Sequence, residues 1–99
     1  MHQIVIRILA PQVAVYDFVF GRIVDGQFTP MDCSILPTEI LERIEVSDLL
    51  GTQAFVKASG LTSLTDTLLD VGAIMSLYSG FIVFNLPEGY VEEKEKDAR

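Results

Sequence analysis

From Val71 to Pro87 the chain reads VGAIMSLYSGFIVFNLP, seventeen residues without a charge. No other stretch limits the fold as strongly, because such a run either crosses a bilayer or fills the interior of a domain. A spanning helix needs about 20 mostly apolar residues. Extending the window upstream takes in Asp70 and Asp66, and a carboxylate near the bilayer centre costs about 2.5–3.5 kcal/mol. Extending it downstream reaches Glu88 and the charged end of the chain. Gly72, Ser76, Ser79, Gly80 and Asn85 dilute the run, and no Lys/Arg cluster flanks it to set an orientation. Membrane association is therefore not expected, and the run is read as a helix end followed by a strand, both buried in one domain.

The residues leading into the run define that helix. Leu61, Leu64, Leu68, Val71, Met75 and Tyr78 recur at spacings of 3, 4, 3, 4 and 3, a single helical stripe. A helix over 63–78 is predicted, with Ser63 and Asp66 resembling a capping box. Ser79-Gly80 ends it, and FIVFNL (81–86) has strand composition.

Upstream, QIVIRIL (3–9) and VAVYDFVF (13–20) are rich in β-branched and aromatic residues and read as strands joined at Ala10-Pro11-Gln12. Asp25-Gly26, between GRIV and QFT, signals a hairpin, because both central residues of a type I′ turn need positive φ. Pro30 confines its strand to an edge. SILPTEILERIEVSDLLG (34–51) reads as a helix opening at Pro37 and ending near Glu45, followed by a short turn from Ser47 closed at Gly51. Its LPTEIL resembles the opening of an F-box, but that module is helical and the neighbouring segments here are strands. QAFVKA (53–58) adds a strand, punctuated by Ser59-Gly60. The expected fold is a single α+β domain over 1–87. Its sheet is mostly antiparallel, with about four or five strands, order β-β-β-α-β-α-β, packed by two helices. The charged residues 88–99 are expected to form a disordered tail.

Composition turns attention to the surface. Hydrophobic residues make up 49% of the chain and mean hydropathy is +0.39. A domain of ~100 residues buries only about 60–70% of its unfolded surface, so an apolar surplus should remain outside and mark a contact. Leu69, Ile74 and Leu77 fall off the helical stripe, among Thr62, Ser63, Asp66 and Asp70, and are the candidate partner contacts. The net charge of −7, from fourteen acids against seven bases, disfavours direct nucleic-acid binding, which needs clustered Lys and Arg. Arg7, Arg22, Arg43 and Lys57 are isolated from one another.

Catalytic material is scarce. His2 is the only histidine and is expected to be an exposed terminal residue, which leaves no Ser-His-Asp or histidine-metal arrangement. Cys33 is the only cysteine, so no internal disulfide or cysteine zinc cluster forms, and a reducing, cytoplasmic setting is expected. It follows Asp32 at the start of the first helix and is expected to be buried and inert. No phosphate-cradling glycine loop is present. Asp66 with Asp70, and Glu39 with Glu42 and Glu45, read as solvated helix faces. Lys57 is expected to pack its stem and keep its ammonium in water. Arg7 inside the first apolar run, with no basic region before it, argues against a secretory leader. No catalytic, cofactor or metal residues are assigned.

The expected function is a non-enzymatic protein–protein interaction or self-assembly module, a structural subunit or small acidic inhibitor, whose partner is another protein or a second copy. The alternative is a small-molecule-binding domain or enzyme with an Asp/Lys/Cys-lined cleft between helix and sheet. A membrane-associated protein is the third reading.

Overall fold

The computed structural model describes residues 1–8 and 14–91. Seven strands form one antiparallel sheet: β1 (His2–Arg7), β2 (Val15–Val24), β3 (Gln27–Pro30), β4 (Glu45–Val46), β5 (Ala54–Lys57), β6 (Ile74–Tyr78) and β7 (Phe81–Asn85). Their order is β4-β5-β2-β1-β7-β6, and β3 pairs with the end of β2 that β5 leaves free. Among the described residues two helices complete the α+β fold, α1 (Thr38–Leu41) and α2 (Ala58–Asp70), with a 3₁₀ turn at Cys33–Ile35. The class is as expected, and the sheet has more strands than expected.

The β2–β3 hairpin forms as its residues dictate. Val24 pairs with Gln27 across Asp25 (φ 52°) and Gly26 (φ 78°), the conformation of a type I′ turn. Pro30 closes β3, whose only neighbour among the described residues is β2. Strand alternation then sorts side chains between two faces. Ile4 and Ile6, Phe18 and Phe20, Val56 and Phe84 all point to one side and are fully buried. Leu64 and Leu68 of α2, Ile40 of α1 and Cys33 of the 3₁₀ turn close over them.

The predicted helix over 63–78 is corrected at both ends. α2 begins at Ala58, so Ser59 and Gly60 lie in its first turn and Ser63 is no cap; its Oγ instead accepts a hydrogen bond from Arg43 Nε at 3.0 Å. The helix stops at Asp70. Gly72 takes φ +97°, its N–H donates to the Leu69 carbonyl, and the Ala73 N–H donates to the Leu68 carbonyl. These paired bonds make a Schellman motif, with Ala73 and Leu68 as its buried apolar contact. Met75 and Tyr78 continue the 3-4 spacing by coincidence, since residues 74–78 form β6 and pair with β7 across the two-residue turn Ser79-Gly80.

α2 has a topological task. It leaves β5 and delivers the chain to β6 at the opposite edge, four strand spacings or ~19 Å away. Its thirteen residues span about 20 Å. One face of the sheet is therefore roofed by a helix long enough to cross it.

Three further expectations change. α1 has only four residues and Glu45 belongs to β4, so Glu39, Glu42 and Glu45 do not share a helix. His2 lies in β1 with its ring stacked on Phe20 at 5.7 Å, half-buried rather than an exposed end. The packed chain continues past residue 87: Val91 is buried, and the Tyr90 hydroxyl donates to Glu39 Oε1 at 2.7 Å. Burial and that carboxylate raise the Tyr90 pKa. The connection at 10–12 and residues 92–99 lie outside the described residues.

Candidate interaction surface

The face of the sheet away from α2 carries no second layer among the described residues, and the pairing registers show how it is built. Its centre is a row of valines, Val19–Val5–Val83, ending at Ser76 on β6. On one side lies Gly21–Gln3–Asn85–Ile74, in which Gln3 Nε2 donates to Asn85 Oδ1 at 2.6 Å. On the other lies Phe55–Asp17–Arg7–Phe81–Tyr78. There Arg7 and Asp17 form an ion pair at 3.5 Å, and the Tyr78 and Phe81 rings stack at 5.1 Å. Polar side chains on this face thus find partners across neighbouring strands, while the valines stay half-buried. Gly21 is required where it stands: the Phe28 ring lies over it, and a Cβ there would come within 2.6 Å of the Thr29 carbonyl oxygen.

At the β6 edge apolar side chains lie open. Ile74 is 68% exposed, Leu77 70% and Tyr78 56%. Leu69, on α2, is 43% exposed. The three candidate contacts are thus exposed, but the structure does not gather them as one helix face. Ile74 and Leu77 alternate to opposite faces of an edge strand, and Leu69 sits on the roof. Tyr78 and Met75, read from spacing as core, are exposed with them. The available signal is the Ser79-Gly80 turn between two short apolar runs, a two-residue hairpin connection. A second apolar exposure sits beyond the far edge, at Leu49 and Leu50 in the loop between β4 and β5.

That loop is held by side chains. Asp48 accepts from the Thr52 N–H at 2.8 Å, the Thr52 hydroxyl at 2.6 Å and the Gln53 N–H at 3.1 Å. The Thr52 hydroxyl bond and the Gln53 N–H bond hold the Asp48 carboxyl below its ordinary pKa. Gly51, at φ +75°, accepts the Cys33 N–H at 2.7 Å.

The other candidate residues stay apart. Burial, with the Asp32 carboxylate beside it, pushes the Cys33 thiol up to about 11, against any role as a thiolate nucleophile. Lys57 is exposed and pairs with Glu45 at 3.1 Å, while Asp66 and Asp70 face solvent. One hollow, about 480 Å³, lies on the open face among Arg7, Asp17 and Phe55, and another, about 270 Å³, lies among Arg43, Phe55, Lys57 and Ser63. Among the described residues no group of three His, Cys, Asp or Glu is arranged to hold a metal ion. Nor is any helix among them long and apolar enough to cross a membrane. Comparison with family models, curated proteins and solved structures finds no match for the chain.

Proposed function

We propose that this protein is a non-enzymatic interaction module that works by self-assembly, with binding to another protein as the second form of the same role. One observation carries it: apolar side chains on the unroofed side of the sheet and along β6 remain accessible in a fold whose core is already complete. Exposed patches of this kind mark association surfaces. An acidic chain with a thiol kept inert by burial suits a cytoplasmic structural subunit or small inhibitor. Light scattering over an about hundredfold dilution series tests it, since assembly follows mass action. The expected mass exceeds the 11.0 kDa monomer at high concentration and falls on dilution. A chain that stays at monomer mass in buffer, and also diffuses as a monomer in concentrated extract of its own host, overturns the reading.

A further inference from the structure

Resting on the self-assembly reading above, we infer that two copies of this chain join edge to edge through β6, antiparallel about a two-fold axis at Ser76, to make one continuous sheet. The backbone pattern supplies the first argument. The Ile8 N–H donates to the Gly80 carbonyl and the Leu86 N–H to the His2 carbonyl, so the even-numbered residues of β7 bond toward β1. Antiparallel alternation then turns Phe81, Val83 and Asn85 toward β6, where they meet Tyr78, Ser76 and Ile74. Met75 and Leu77 consequently direct their N–H and C=O groups to the outer edge, where no strand among the described residues meets them.

Self-complementarity supplies the second. With the axis at Ser76, Met75 of one copy exchanges two hydrogen bonds with Leu77 of the other, and the symmetric pair does the same. All four outward groups of each copy are satisfied at once. The register sets Ile74 opposite Tyr78 on the open face, a β-branched and aromatic pair of the kind that stabilises sheets. The Tyr78–Phe81 stack and the valine row both continue into the second copy. Such a contact is isologous and closes on itself.

Charge and the other edges supply the third. Each copy carries −7, yet residues 71–87 carry no charge, so this edge lets two acidic chains meet without like charges in contact. Strand edges are ordinarily blunted by shortness, charge or proline. β4 has two residues and the Glu45–Lys57 pair, and β3 ends at Pro30. β6 has five residues and none of these guards. A partner segment as charged as residues 92–99 is a poor match for it.

Ser76→Cys tests the geometry directly. Opposed residues at a non-hydrogen-bonded pair stand about 4.5 Å apart at Cα, within disulfide reach, and native Cys33 is buried. Under mild oxidation S76C is expected to form a linked dimer at least tenfold faster than Thr62→Cys, an exposed position on α2. Leu77→Pro removes an outward N–H without touching the β7 ladder, and is expected to weaken dimerisation at least about tenfold with the monomer still folded. A dimer by light scattering in which S76C links no faster than T62C overturns the edge geometry and leaves self-assembly standing. A monomer at every concentration overturns the edge dimer too, and partner binding in extract then decides the wider reading.

Discussion

The two faces of this sheet are made by the same strands and solve different problems. On the roofed face Ile4, Ile6, Phe18, Phe20 and Phe84 pack with Leu64 and Leu68 of α2 into a dry core. On the open face the same strands present valines interleaved with Gln3–Asn85 and Arg7–Asp17, pairs that satisfy each other laterally. Burying a polar group without a partner costs roughly 1–3 kcal/mol, so the open face is built to tolerate water and the roofed face is not. The lesson concerns where association should start. A face that already satisfies its polar groups does not demand a partner; an edge with unmet backbone groups does.

The contrast between the faces should show most strongly when neighbours that point opposite ways are truncated. Phe84→Ala, on the roofed side, is expected to lose about 3–5 kcal/mol in denaturant unfolding. Val83→Ala, one residue away on the open side, should lose about 1 kcal/mol or less in dilute protein. Equal losses would mean that the open face is covered in solution. A smaller effect sharpens it: Gly21→Ala forces a methyl against the Phe28 ring and the Thr29 carbonyl, with an expected loss of about 1–3 kcal/mol. Phe28→Ala in the same chain should recover part of that loss by relieving the ring contact. A purely additive double-mutant cycle would show that the ring is not what excludes a side chain.

The subtlest test is chemical. Cys33, on the roofed side, has its thiol raised from 9.0 to about 11, so the folded state favours the protonated form. Stability from this group is complete below the ordinary thiol value and is lost as pH rises from about 9 through about 11. Thiol labelling of the native protein at pH 8 should run about a hundredfold slower than that of an exposed cysteine. Labelling at the exposed rate would show that the roof opens readily.

Much of the fold was legible because local chemistry and tertiary structure agreed. Asp25-Gly26 permits the backbone its turn requires, and Pro30 stands at an edge where its missing N–H costs no ladder bond. Where local and tertiary signals parted, the reading failed. The 3-4 stripe from Leu61 runs into β6 without a break in polarity, while the decisive residue, Gly72, shares its positive φ with the turn glycines Gly26, Gly51 and Gly80, so its identity does not announce a helix end. The start of α2 lacks a side-chain cap at Lys57, so nothing in the residues themselves announced it. Ile74 and Leu77 were legible as surplus apolar surface, but placing them at an edge required the pairing of β6 with β7, a long-range fact about the sheet.

β1 stands at the middle of the sheet although it comes first in the chain. Its neighbours are β2 and β7, and Gln3 meets Asn85 eighty-two residues away. During synthesis the β1–β2 hairpin must therefore wait for about 60 further residues before its second ladder can form, roughly 3–12 s at ribosomal speed. For that interval the central strand of the finished protein is an unguarded edge on the nascent chain, and premature pairing with a neighbouring nascent chain is the competing reaction that synthesis has to outrun.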